Sequence, residues 1–539
     1  MIRWLALLIA ALALTLWSAR HPPVDPETIA GPRQWEVHEL TFIADREYAD
    51  PFDIENIRFS ALFRGPAGEE LVLPGFWDGG RTWKIRFTPT APGRWQFRTA
   101  CMNTADTGLH GRMGALLARP HGDRNALTIH GGFLKVSANK RFLTYTDGTP
   151  FFWLADTWWR APSSTVPLVN FRQMVAVRTA QRFTVYQAHG FRSFSREGGP
   201  TAFEAVRPPR EAALRYWRTT DRYIAHAAAQ GLVGVMGFAG GSLLDPISLD
   251  ELKRLWWYYV ARYGAYPITF LFTQEYNKNS GNRDDRVAKM LQLGRFVKAI
   301  DPYERAMSIH PWHRAHDTRD AWSASWLDFI MLQSGHFRRE RCAGYLEVYD
   351  RVPRKPFLES ETNYEGFARP GFTVDASAVR NSAYTAIQCG SLGFSYGAQG
   401  LYAGIGDANA PGPTSRWGPV LTWYEGLRLP GGSQMRHVRT CYESVEWWRL
   451  EPRALSRDDA GVLVQADGDK TFVIYYARAG RNHRLAGLEI PSGEGTYRGA
   501  WCDPRSGRRT RVELSASART LTLPAPPSSD DWLLVLDRR

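Results

Sequence analysis

Eight short apolar runs between residues 128 and 437, alternating with helical patterns, constrain the fold of this chain more than any other feature. They read as strands at Phe151–Ala155, Phe183–Tyr186, Leu232–Met236, Pro267–Thr273, Ala306–Ile309, Phe329–Leu332, Pro356–Leu358 and Leu392–Phe394. Strands that are apolar on both faces and joined by helices form a parallel sheet covered on both sides. Eight is the number a closed (β/α)8 barrel needs, and the absence of a Gly-rich first turn argues against a doubly wound nucleotide-binding sheet. The runs also share a direction. Polar or aromatic groups follow them: Asp156 and Trp158, Gln187 and His189, Gln274 and Glu275, His310 and Trp312, Gln333 and His336, Glu361, and Tyr396. Functional groups gathered at one end of many strands match the catalytic face of a barrel.

The rest of the chain is organised around that barrel. At 539 residues it exceeds what one core supports. Residues 34–123 alternate with period two between turn signals such as Gly65-Pro66 and Gly79-Gly80, as an immunoglobulin-like β-sandwich does. The alternation returns over residues 440–539, which read as a second β-sandwich. The expectation is therefore a multidomain protein with a central (β/α)8 TIM barrel at 128–437 between two β-sandwiches. Residues 1–20 hold an apolar run from Trp4 to Trp17 behind Arg3, too short for a full membrane span and suited to a signal peptide or uncleaved signal anchor. The chain is thus expected to be exported: periplasmic, secreted, or held on the outer side of the cytoplasmic membrane.

A net charge of +13 suits an anionic partner, but the arginines are scattered without a Lys/Arg block, which argues against nucleic acid and leaves either ordinary solvated surface charge or an acidic polysaccharide. The 21 Trp include four near the predicted barrel mouth, Trp158, Trp159, Trp312 and Trp417, which either stack against sugar faces or pack the mouth. The five cysteines lack a CxxC pair and indicate neither a zinc ribbon nor a disulfide framework, with Cys441 and Cys502 the pair considered for a bridge.

Two carboxylates delivered by two strand ends are the minimum equipment for cleaving a glycosidic bond. Glu275 follows the fourth run directly, next to the amide of Gln274. The seventh run ends in Glu359-Ser-Glu361-Thr-Asn-Tyr364-Glu365, where strand alternation puts Glu359 and Glu361 on the same side, so periodicity does not choose between them. Asp156, Gln187, Asn277, Gln333, Tyr364, Glu365 and Tyr396 are candidates for binding sugar hydroxyls, and His310 and His336 for hydrogen bonds to substrate or nucleophile. Asp156, His310, His336 and Glu361 lack the close spacing of a metal site, and no P-loop, dinucleotide fingerprint or GxSxG elbow occurs, so neither metal nor cofactor is expected.

Several segments are similar to the apiosidase-like family, glycoside hydrolase family 140 and its relatives. They are Phe142-Leu-Thr-Tyr-Thr-Asp-Gly-Thr-Pro-Phe-Phe-Trp-Leu-Ala-Asp156-Thr-Trp-Trp159, Gln333-Ser-Gly-His336, Lys355-Pro-Phe-Leu-Glu-Ser-Glu361-Thr-Asn-Tyr-Glu365, and Arg380-Asn-Ser-Ala-Tyr384 with Tyr396-Gly-Ala398. Gly75-Phe-Trp-Asp-Gly-Gly80 and Gly93-Arg-Trp95 resemble the module called domain of unknown function 5060. Trp501-Cys-Asp-Pro-Arg-Ser-Gly507 and Asp530-Asp-Trp532 resemble a C-terminal module named for collagen binding, a name read here as a fold label. The resemblance implies an acid/base at Glu275, a nucleophile at Glu361 and retaining hydrolysis of an oligo- or polysaccharide. One departure stands out: Thr273-Gln274-Glu275 replaces the family's Gly-Gly-Asp, so apiose specificity is not implied. The competing reading is a non-catalytic glycan-binding or scaffold protein on a degenerate barrel, which would have no need of both Glu residues.

Overall fold

The computed structural model describes residues 28–161, 166–191, 210–238, 241–312, 319–337, 341–404, 414–453, 461–477 and 489–538. The expected export segment, residues 1–20, lies outside the described residues.

Eight parallel strands form the central sheet: β1 (Trp153–Thr157), β2 (Val185–Phe191), β3 (Val233–Phe238), β4 (Ile268–Thr273), β5 (Met307–Ser308), β6 (Ile330–Leu332), β7 (Phe357–Glu359) and β8 (Gly393–Tyr396). Their order is β5-β4-β3-β2-β1-β8-β7-β6, so consecutive strands are neighbours from β1 to β5 and from β6 to β8, and β8 returns to β1. The barrel is nearly closed. At the seam between β5 and β6, the Asp328 amide donates to Met307 O at 3.0 Å, Ser308 Oγ donates to Phe329 O at 2.7 Å, and the Met307 amide donates to the Asp328 carboxylate at 2.9 Å.

Helices α1 (Leu168–Ala180), α2 (Arg210–Ala229), α3 (Leu249–Tyr263), α4 (Arg283–Ile300), α5 (Cys342–Asp350), α6 (Ala376–Gln388) and α7 (Pro430–Tyr442) lie among and after the strands. Helix α3 starts where its sequence dictates, with Ser248 and Glu251 forming a capping box. The alternation of βα units needs long crossovers because parallel neighbours cannot be joined by tight turns.

The predicted strands recur with starts shifted by one or two residues, and the shifts matter. Strand β1 continues through Asp156 to Thr157, β2 through Gln187 and His189 to Phe191, and β8 through Tyr396. Asp156, Gln187 and Tyr396 therefore sit within strands rather than beyond them, and all three are fully buried.

The flanks are β-rich. Before the barrel, a five-stranded sheet (Thr28–Arg33, Met113–Arg119, Gly93–Ala100, Ser60–Arg64, Glu70–Pro74) faces a three-stranded one (His38–Ile43, Thr82–Phe87, Phe76–Trp77). Phe63 of the first stacks on Phe87 of the second, with centroids 4.3 Å apart and planes at 11°. After the barrel, a six-stranded sheet is bounded by Arg509–Ala516, an edge strand that sequence reading missed because it is polar and half solvated. Buried ion pairs fix both flanks to the barrel helices: Arg86 and Arg262 clasp Asp221, and Arg380 binds Asp531 through two hydrogen bonds at 2.7 and 2.8 Å.

The cysteine expectation needs correction. The disulfide joins Cys342 at the start of α5 to Cys389 at the end of α6, whereas Cys441 and Cys502 are buried thiols in hydrogen-bond contact. Sequence spacing could not find the pair, because it is the packing of α5 against α6 that brings these residues together.

Candidate active site

Strand β4 is buried along its whole length and stops at Thr273. Gln274 and Glu275 follow, and Glu275 takes a left-handed backbone conformation, φ 52°. For a residue with a side chain this costs about 1–3 kcal/mol and is held only by the surrounding structure. Strand β7 ends at Glu359, and Glu361 lies two residues beyond. Because the sheet is parallel, both carboxylates emerge at the same C-terminal mouth.

Their environments differ. Glu361 is almost fully enclosed, its side chain 6% exposed. Gln274 Nε2 donates to its Oε2 at 3.0 Å, His310 Nε2 lies 3.5 Å from the same oxygen, and His336 Nε2 lies 3.5 Å from Oε1. Burial works to raise its pKa, but the contact with His336, the charges of His310 and His336, and the Gln274 amide outweigh it and hold the group below its ordinary value. Glu275 behaves in the opposite way. Burial first, then the negative charge of Glu361, push it up to about 7, against the smaller pull of Lys278, whose Nζ lies 3.8 Å away, and a hydrogen bond from Gln333. Two carboxylates in one site are thus driven apart, one towards the charged form and one towards the neutral form.

Glu359 is turned away from this work. Its Oε2 accepts the Tyr345 hydroxyl at 2.7 Å, and its Oε1 accepts the backbone amides of Glu361 at 3.3 Å and Ser334 at 3.4 Å. It braces the loop that carries Glu361.

Around the carboxylates, Asn277 accepts the Trp312 amide at 2.7 Å and ties the β4 loop to the β5 loop. Lys278 lies over the Trp312 ring, 4.4 Å from its centroid. Gln333 is buried beside Glu275, and its Oε1 has no hydrogen-bond partner. Trp159 donates from Nε1 to Tyr364 Oη at 3.0 Å and stacks on His189 at 4.6 Å. Trp417 lies flat on Phe367 at 5.1 Å, with His336 edge-on to it at 5.0 Å and Arg416 4.5 Å from its ring centroid.

Five predicted sugar contacts, Tyr396 among them, are engaged elsewhere. Asp156 forms a fully buried ion pair with Arg178 at 2.5 Å. Glu365 accepts the Tyr396 hydroxyl at 2.6 Å and the Gly431 amide at 3.0 Å, which fastens β8 to the start of α7. Trp158 packs into the core against Tyr186 and Phe171. Gln187 braces the barrel interior, linking Ser360 O and Ser395 Oγ at 3.3 Å each. Among the described residues no group of three or more His, Cys, Asp or Glu could hold a metal ion. Sequence reading did not select Lys278 or Arg416, although Lys278 stands three residues after Glu275.

Residues 137–449 match the family described as Apiosidase-like, catalytic domain, and residues 32–102 match domain of unknown function 5060. No curated protein matches the chain. Among solved structures it is similar to a protein assigned to the glycoside hydrolases from Bacteroides vulgatus ATCC 8482, at 16% identity and TM-score 0.70, covering 95% of this chain and 100% of that one. It is also similar to a glycoside hydrolase family 5 protein of the same organism, at 20% identity and TM-score 0.62, covering 76% of this chain and 93% of that one. At such identities the likeness is one of fold.

Proposed function

This chain belongs to the apiosidase-like family and is a glycoside hydrolase, and from that premise we propose that it works by retaining double displacement. Glu361 attacks the anomeric carbon as the bond to the leaving oxygen breaks, and Glu275 gives that oxygen its proton. Glu275 then takes a proton from the water that attacks the glycosyl-enzyme ester and frees Glu361. The observation that supports this assignment is the opposed tuning of the two carboxylates. A nucleophile must be ionised and a general acid must hold its proton near neutral pH, which is how burial and neighbouring groups bias Glu361 and Glu275. The engagement of Glu359 with Tyr345 supports Glu361 over its neighbour.

The substrate in this reading is an oligo- or polysaccharide carrying acidic groups. Lys278 and Arg416 stand on the Glu275 side of the site, each against a Trp face, and the chain carries a net charge of +13. In this reading Asn277, Trp312, Gln333 and Trp417 meet its hydroxyls and ring faces. The reading includes export, which the Cys342–Cys389 disulfide supports because such bonds persist in oxidising compartments. It also takes residues 34–123 and 440–539 as β-sandwich modules around a barrel at 128–437, supported in the first by two facing sheets.

The test is a screen of plant and bacterial polysaccharides, neutral and uronate-bearing, with Glu275→Gln and Glu361→Gln as controls and the released anomer read by NMR. Hydrolysis with retention, lost in both variants, is expected. Inverted product, or undiminished turnover by Glu361→Gln, would sink the mechanism.

A further inference from the structure

The charge on Glu361 depends on hydrogen-bond donors that the fold must supply, and two of its three nitrogen neighbours among the described residues can donate to it only when their rings carry two protons. His310 Nδ1 lies 3.1 Å from Pro311 O, and His336 Nδ1 lies 2.8 Å from Thr362 O. A carbonyl oxygen only accepts, so each Nδ1 carries the ring's proton. In the neutral rings both Nε2 atoms therefore turn a lone pair, not a proton, towards Glu361. Each becomes a donor only after taking a second proton, which burial opposes at His310. Glu275 and Tyr364 act on Glu361 through charge and not through a hydrogen bond to its carboxylate. Among the described residues that leaves Gln274 Nε2, at 3.0 Å, as the side-chain N–H that meets the carboxylate while both rings are neutral.

An amide is nearly symmetric in shape, so this donor is present only if something fixes which end faces Glu361. Turned over, Gln274 would set its oxygen against a carboxylate oxygen. The group that opposes this is His189. Its Nε2 lies 2.7 Å from Gln274 Oε1, and its ring is held flat on Trp159, planes 18° apart, while Trp159 is held by Tyr364 Oη. We propose that His189 is a positioning residue for Glu361: its Nε2 proton fixes the Gln274 amide so that the N–H, rather than the carbonyl oxygen, meets the nucleophile. A chain of contacts, Tyr364–Trp159–His189–Gln274–Glu361, thus runs from the ends of β1, β2, β4 and β7 to one carboxylate. This rests on the reading of Glu361 as nucleophile.

The test uses the full chain labelled with [δ-13C]glutamate, the Glu361 resonance being identified by its loss in Glu361→Gln. His189→Phe keeps a flat ring on Trp159 and removes the donor, Gln274→Met removes the amide, and His189→Gln restores an N–H at the end of the side chain. One hydrogen bond to a carboxylate corresponds to about one pH unit in its titration. Glu361 is expected to titrate about one pH unit higher in His189→Phe and Gln274→Met, and to return towards the wild-type value in His189→Gln. Should His189→Phe fail to fold, the wild-type protein still gives an answer: 15N shifts of His189 are expected to report a neutral ring protonated at Nε2. An unmoved Glu361 titration in His189→Phe, or a bare Nε2 on His189, overturns the proposal. Turnover enters neither measurement, so a wild-type protein that hydrolyses nothing would count against the nucleophile assignment alone.

Discussion

Replacing Glu275 by Gln should make the protein more stable at alkaline pH and inactive. The folded state holds Glu275 up to about 7, whereas an unfolded chain leaves a Glu at its ordinary 4.5. Between these values the native state binds a proton that the unfolded state has lost, so stability falls as pH rises through that window. A difference of about 2.5 pH units at 1.36 kcal/mol each means that ionised Glu275 costs the fold about 3 kcal/mol by pH 8. The side chain is 19% exposed, so solvent screening leaves most of this in place. Gln removes the charge, keeps the shape and can still accept the hydrogen bond from Gln333. The assay is the thermal midpoint of the barrel transition for wild type and variant at pH 5 and pH 8. The curves should nearly coincide at pH 5 and separate by roughly 5 °C at pH 8, variant higher. Equal midpoints at both pH values, or a variant less stable at pH 8, would refute the idea that burial and Glu361 keep the proton on Glu275.

Further outcomes follow from the same geometry. The pH profile of kcat/KM should be bell-shaped, with its alkaline limb near 7 set by Glu275, and Lys278→Met should move that limb upwards because a nearby cation is lost; a downward move would contradict the placement of Lys278. Asp156→Asn should destabilise the barrel by about 3–5 kcal/mol, since it leaves Arg178 buried without its carboxylate, and an unchanged unfolding midpoint would show that the pair is not structural. Unfolding without reductant should expose three reactive thiols, Cys101, Cys441 and Cys502, with Cys342 and Cys389 recovered as one linked peptide; five thiols would exclude the disulfide.

Much of the molecule was legible in the sequence for one reason. Strands buried on both faces must be written as apolar runs, and the residue that breaks such a run marks where the barrel opens. Hence the eight strands, their order and the emergence of Gln274, Glu275 and Glu361 at one mouth could be read from the chain. Strand ends were less exact, since an aspartate inside a strand looks like the end of one. Asp156 was read as a mouth residue because only the partner Arg178, 22 positions away, makes its burial tolerable.

What the chain alone determined is therefore the set of carboxylates and the layer they occupy. What only the tertiary structure decided is their division of labour. Strand alternation would put Glu359 and Glu361 on one face, and their side chains are identical; Tyr345 on α5 engages one, and Gln274, His310 and His336, just beyond β4, β5 and β6, surround the other. Likewise Cys342 found Cys389 while Cys441 and Cys502 stayed thiols, and His189 found Gln274. Proton affinity and bond partners depend on distances of a few ångströms between residues tens to hundreds of positions apart, and only the folded packing of helices and strand ends sets those distances.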